Sequence, residues 1–297
     1  MLLNLYGHTD PMKEFISKIR KQLDSVYGSG EAEWLVRSIM EDVCGITRTD
    51  MLLKDIKIPD EKKREAEKVV GRLLKKEPLQ YILGSVMFCG IKISVSPAVL
   101  IPRPETAELV RHIVAQETGK SPLRILDLCT GSGCIAVALA KTIKGAELFA
   151  AEISPEAISV ARNNAAENGA DIKFVECDVL GDISGLPAKT DIIVSNPPYV
   201  TESEKKEMEA NVLNYEPHRA LFVPDDDPLL FYRRIADIGL SLLNPQGRLY
   251  LEINSSYWGE TAEMLQQKGY TAITVKKDSY NKERFIACTL TQKITDK

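Results

Sequence analysis

The 297-residue sequence carries a formal net charge of −4, with 44% hydrophobic and 27% charged residues. That is enough apolar material for one large domain plus a small one, or for two modest domains. The lack of a basic excess argues against duplex nucleic acid as an obligatory partner, since phosphate neutralisation dominates such binding.

From the N-terminus to about residue 80, apolar positions recur at helical spacing: Phe15, Ile16, Ile19 and Leu23, then Trp34, Leu35, Ile39 and Val43, then Val69, Val70, Leu73 and Leu74. Gly28, Gly30, Gly45 and Pro59 punctuate them, which predicts a bundle of four or five helices with Trp34 packed in its core rather than serving as a recognition anchor. The Lys-rich stretch from Glu61 to Lys76 interleaves acids with bases and reads as a solvated helix face. Phe88 to Val95 alternates around Gly90 as a hairpin would, with Phe88 and Pro97 either lining a pocket or filling the connector.

Beyond Ser96, strands are expected near 124–129, 146–151, 172–177, 191–195 and 247–254, and helices near 104–117, 133–142, 155–168 and 227–243. That alternation predicts a doubly wound parallel sheet. Thr271–Lys276 and Arg284–Leu290 read as two antiparallel strands joined by a turn at Asp278–Asn281.

The six cysteines (44, 89, 129, 134, 177, 288) form no Cys-x-x-Cys pair and no ligand spacing with His8, His112 or His218. A reduced, cytoplasmic setting without a structural metal fits that pattern. Met1–Leu5 is too short and uncharged for a signal peptide, and no apolar run approaches membrane-spanning length.

Candidate chemistry starts where the strand Arg124–Cys129 meets Thr130-Gly131-Ser132-Gly133 and a following helix. Glycines at such a turn let a ligand approach the backbone. Gly131-x-Gly133-x-x-Ala136, with Glu152 about 20 residues on, also satisfies the dinucleotide-binding fingerprint, so a nicotinamide dehydrogenase is a rival. Three features favour S-adenosylmethionine. Asp127 precedes the loop, where a cationic ligand is welcome and a pyrophosphate is repelled. Asp178 closes the strand 172–177, placed to accept from an adenine amino group. Finally, Asn196-Pro197-Pro198-Tyr199 leaves the strand 191–195 in a stiff turn with no evident part in hydride transfer. That turn offers the Asn196 amide oxygen and a backbone carbonyl as acceptors for a planar –NH2 group, with Tyr199 either covering its face or packing as wall. Arg103 and Glu105, in Pro-Arg-Pro-Glu, read equally as a helix cap and as a roof over the pocket.

Five segments in order carry a resemblance to a known family: Glu77–Gly84, Val99–Thr106, Asp127–Gly133, Asn196–Val200 and Tyr215–Leu221. Together they resemble the protein-(glutamine-N5) methyltransferases that modify peptide chain release factors, the HemK/PrmC family. The resemblance implies a helical N-terminal domain over residues 1–83 that docks the release factor, a β-hairpin linker over 84–96, and a class I (Rossmann-like) methyltransferase domain over 97–297. It implies S-adenosylmethionine held by Asp127, Thr130, Gly131, Gly133, Glu152, Asp178 and Asn196, with S-adenosylhomocysteine as product. Asn196, Pro197, Pro198 and Tyr199 would hold the glutamine of a Gly-Gly-Gln motif, with Asn196, Pro197 and Tyr199 serving the transfer itself. A ribosomal-protein glutamine or an exocyclic base amine remains an alternative target. The sequence departs from the family pattern at Glu152 (commonly Asp), Cys129 (frequently Gly) and Asn281 (usually Gly), the last tolerable in a left-handed turn.

Overall fold

The computed structural model describes residues 10–52, 56–120 and 122–291; the segment Met1–Leu5 and His8 lie outside the described residues. The chain divides into two compact units, Met1–Leu83 with Ala210–Tyr215, and Gly84–Glu209 with Glu216–Lys297.

The first unit is helical. Helix α1 (Pro11–Tyr27) starts where the Asp10 carboxylate accepts from the Met12 and Lys13 amides, with Pro11 at the first helical position. It buries Met12, Phe15, Ile19 and Leu23, one residue per turn. Helix α2 (Ser29–Ser38) runs into one wider π turn over Ile39–Val43, and α3 (Arg48–Leu52), α4 (Asp60–Leu73) and α5 (Leu79–Leu83) follow. Trp34 is not in the core; it is 42% exposed. Helix α2 buries Ala32, Leu35 and Val36, and position 34 lies about 200° round the helix from Ala32, on the opposite face.

The second unit opens with the hairpin β1 (Ser85–Phe88) and β2 (Ile91–Ser94). The main elements then run α6 (Pro104–Glu117), β3 (Arg124–Leu128), α7 (Cys134–Thr142), β4 (Glu147–Glu152), α8 (Pro155–Glu167), β5 (Ile172–Glu176), β6 (Thr190–Ser195) and β7 (Val200–Thr201). After α9 (Ala210–Tyr215), which belongs to the first unit, come β8 (Phe222–Val223), α10 (Leu230–Leu242), β9 (Leu243–Glu252), α11 (Trp258–Gln267), β10 (Tyr270–Lys277) and β11 (Glu283–Leu290). Strands β7 and β8 pair with each other in parallel, apart from the main sheet. The hairpin is tied to α8: Asn164 accepts from the Ser94 amide and donates to the Ser94 carbonyl.

Seven strands form the main sheet in the order β10-β11-β9-β6-β3-β4-β5. The pairs among β9, β6, β3, β4 and β5 are parallel, and β11 runs antiparallel to both β9 and β10. Burial on both faces explains why β3 and β6 are apolar at successive positions, Ile125–Leu126 in one and Ile192–Val194 in the other. The chain leaves β3 for β4 and β5 on one side and returns to β6 on the other, so strand order reverses beside β3. A crevice opens at the carboxyl ends there. Helix α11 has no counterpart among the helices expected from sequence; it buries Thr261, Met264 and Leu265. Asn281 sits at φ 64, the left-handed turn residue before β11.

Candidate active site

A cleft of ≈ 650 Å³ lies over the carboxyl ends of the parallel strands, and every residue lining it belongs to the second unit. Its lining includes Thr130, Gly131, Glu152, Asp178, Asn196 and Pro198 from the expected set, with Arg103 and Thr106 from the start of α6.

The glycine loop is held from below. Glu152, at the end of β4, accepts from the Gly131 amide at 3.0 Å through Oε2 and from the Ile153 and Ser154 amides at 2.9 and 3.1 Å through Oε1. A carboxylate has about four acceptor sites, so this grip leaves capacity for ribose hydroxyls. Gly131 and Gly133 adopt φ +54° and +77°, and a Cβ at Gly133 would stand 3.0 Å from the Ala161 Cβ, so that position admits only glycine. Cys129 is also left-handed, at φ 60, a conformation in which glycine carries no Cβ penalty.

Asp127 and Gly133 lie beneath the lining, not in it. Asp127 is fully buried and its Oδ2 accepts from the Thr130 hydroxyl at 2.5 Å. Its Oδ1 makes no hydrogen bond of ordinary geometry among the described residues. Burial pushes the carboxyl up to about 7, although Thr130 and the Ala136 amide at the start of α7 pull the other way. A buried carboxyl so weakly satisfied fits a ligand that brings a positive charge. Asp178 lines the cleft at the end of β5, with Oδ1 taking the Leu180 amide.

The Asn196–Tyr199 turn leaves β6 on the other side of β3. Asn196 lines the cleft and its Nδ2 donates to Thr106 Oγ1 at 3.2 Å. No intramolecular hydrogen bond reaches Asn196 Oδ1 among the described residues. Pro198 lines the cleft, but Pro197 is buried and does not. Tyr199 also lies outside the lining. Its ring packs against the sheet core, its hydroxyl reaches Glu252 Oε1 at 3.2 Å, and its amide donates to the Leu221 carbonyl. The ring therefore packs into the domain core and forms no part of the cleft lining. Phe88 is buried and fills the connector, and Pro97 is likewise absent from the lining.

Glu252, which the sequence did not single out, and Glu216, named there only within the Tyr215–Leu221 segment, complete the site. Glu252, at the end of β9, is 2% exposed and accepts from Thr106 Oγ1 at 2.7 Å. Burial pushes it up to about 7, against the two hydroxyls that bond it. Glu216 is buried, pairs with Arg103 at 2.5 Å and accepts from the Ile101 amide at 3.2 Å, fixing the segment before α6. Arg103 is thus part of the cleft wall, and it makes no side-chain cap on α6. Cys129, Cys134 and Cys177 line the cleft, but burial raises all three thiols, Cys134 to about 12, so none supplies a thiolate nucleophile near neutral pH.

Two family descriptions match the chain: a methyltransferase small domain over residues 104–221 and a PrmC N-terminal domain over residues 14–84. A release factor glutamine methyltransferase of Bacteroides thetaiotaomicron is 46% identical over 93% of this chain and 99% of its own. The chain belongs to the release factor glutamine methyltransferase family. A second relative of that name, from Flavobacterium psychrophilum, is 42% identical over 93% of this chain and 98% of its own. Membership of this methyltransferase family removes the dehydrogenase reading of the glycine loop. The fold is shared more widely: a methyltransferase from Pyrococcus furiosus superposes with a TM-score of 0.50 at 19% identity, covering 68% of this chain and 90% of that one. No helix among the described residues is long and apolar enough to cross a membrane.

Proposed function

We propose that this protein transfers the methyl group of S-adenosylmethionine to the side-chain amide nitrogen of the glutamine in the Gly-Gly-Gln motif of peptide chain release factors, in the cytoplasm. The observation that carries the reading is Asn196: it lines the same cleft as the glycine loop, Glu152 and Asp178, and its Oδ1 is unclaimed. When bound, the cofactor supplies a methyl group activated by a sulfonium. Asp127 supplies the buried negative charge suited to it, Glu152 suits the ribose hydroxyls, and Asp178 suits the adenine amino group.

A carboxamide nitrogen is a weak nucleophile because its lone pair is delocalised into the carbonyl. The protein's task is therefore orientation rather than strong base catalysis. Asn196 Oδ1 accepts one N–H of the substrate amide and aims its nitrogen, an arrangement that can contribute several kcal/mol when reacting atoms are held near attack distance. As the nitrogen gains positive charge, the same acceptor stabilises it more than it stabilised the neutral amide. The Pro197 carbonyl is the second acceptor in this reading; its burial leaves Asn196 as the one with support in the cleft lining. Residues 1–83, which overlap the match to a PrmC N-terminal domain over 14–84, are assigned to docking the release factor.

The test is incubation with methyl-labelled cofactor and a panel of release factors, ribosomal proteins and DNA, with the label located by mass spectrometry. Label on the glutamine amide of Gly-Gly-Gln is the expected result. Label only on another glutamine or on a base amine overturns the substrate assignment.

A further inference from the structure

Asn196 can serve as an acceptor only if its amide is held one way round. Flipped, it would point –NH2 at the substrate's own –NH2 and repel it. What fixes the amide is the polarity of its partner's hydrogen bonds. Glu252, when ionised, can only accept. The Thr106 hydroxyl, 2.7 Å from Glu252 Oε2, must therefore spend its single proton on the carboxylate. Toward Asn196 the same oxygen can then only accept, so Asn196 must present Nδ2 to it, as observed at 3.2 Å. Oδ1 is left over for the substrate.

From this chain of donors we infer that Thr106 and Glu252 are positioning residues of the transfer reaction, a carboxylate–hydroxyl pair that locks the Asn196 amide with its oxygen outward. The inference rests on the proposed use of Asn196 as substrate acceptor. Three strands of evidence make the pair a built device. Thr106 and Glu252 are each 2% exposed. The second Glu252 oxygen is occupied by Tyr199, from the same turn as Asn196. Thr106 sits in the first turn of α6, where the positive end of the helix dipole favours the nearby carboxylate charge.

The lock depends on charge. Protonated Glu252 gains a donor, frees the Thr106 proton, and allows the hydroxyl to donate to Asn196 Oδ1 instead. Buried Glu252 titrates at about 7, raised by burial and by Glu105 and lowered by Thr106, Tyr199 and Arg284. Cys134 of α7 and Tyr232 of α10 also face it, both neutral in this range because burial raises them. Turnover should therefore fall as pH drops through about 7.

Thr106→Val keeps the shape and removes the hydroxyl. It should lower kcat by roughly 10- to 100-fold, while affinity for S-adenosylhomocysteine changes less than about twofold. Thr106→Ser restores the hydroxyl and should recover most of kcat. Glu252→Gln should lower kcat at every pH and abolish the acid limb. Thermal melts establish that each variant is folded before it is scored. A Val variant with wild-type kcat, a Ser variant no better than Val, or an acid limb that survives in Glu252→Gln overturns the inference. Asn196→Ala run alongside separates the two readings. If it too retains full kcat, the acceptor role of Asn196 fails; if it alone is inactive, only the lock fails.

Discussion

The two sides of the cleft each contain one buried carboxyl bonded to one threonine hydroxyl, and they differ in what is left over. Asp127 takes the Thr130 hydroxyl on one oxygen, while the other has no partner of ordinary geometry and the Ala136 amide as its nearby donor. Glu252 takes Thr106 on one oxygen and Tyr199 on the other. Both are raised to about 7, so desolvation outweighs the hydrogen bonds in each case. The difference is one of use. An incomplete carboxyl gains by meeting a cation, whereas a complete one cannot take a ligand and instead dictates how its neighbours point. Equal burial and equal pKa thus serve binding on one side and orientation on the other.

The largest effect should come from the far end of the orienting side. Asn196→Ala removes the substrate's acceptor, and turnover should fall by on the order of 10²-fold or more with cofactor affinity nearly unchanged. Single-turnover kinetics with calorimetry check this, and near-normal kcat would erase the contrast between the two sides. On the binding side, Glu152→Ala removes three hydrogen bonds from backbone amides together with the proposed ribose acceptor. It should weaken S-adenosylhomocysteine by roughly 10- to 100-fold, about 1.4 to 2.8 kcal/mol, and calorimetry should find kcat at saturation less affected than KM.

A pH series sharpens the comparison further. The folded-state pKa of Asp127 lies above its ordinary value, so the ligand-free protein retains a proton there that a bound cation would expel. S-adenosylmethionine should therefore bind more tightly as pH rises through about 7, by up to roughly tenfold per unit below the pKa, with proton release visible in buffers of different ionisation enthalpy. Affinity that is flat from acid to neutral pH would remove Asp127 from the binding side. The smallest effect expected is from Tyr199→Phe. It leaves Glu252 Oε1 without its hydroxyl, a loss of about 1 kcal/mol, read as a severalfold lower kcat and an acid limb displaced to higher pH.

Local signals were legible in the sequence and distant pairings were not. The Gly131–Gly133 loop and the Asn196–Tyr199 turn are contiguous, and each announces itself by residues whose backbone limits are severe. The strands behind them were readable because burial on both faces concentrates apolar residues in β3 and β6, with Ile125, Leu126 and Leu128 in one and Ile192–Val194 in the other. Thr106 lies 146 residues from Glu252 and 90 from Asn196. Thr106 closes the Val99–Thr106 segment, but nothing there points to Glu252, because the pair arises only when α6 packs on β9, and Asn196 joins it only because sheet order sets β9 beside β6. Trp34 failed for a related reason: an apolar residue counts toward a core only if its angle on the helix matches its companions. Helix α11 went unread because its apolar positions are few and a glycine, Gly259, follows its first residue.

The formal charge of −4 counts every acid as ionised. With burial raising Asp127 and Glu252 to about 7, the ligand-free molecule near neutral pH should be less negative than that count. Cofactor occupancy should therefore leave an electrophoretic trace. The bound cation adds its charge while Asp127 sheds its proton, so the mobility change at pH 7 falls short of the ligand's own charge. At pH 9, where both groups are already ionised, the full ligand charge should appear.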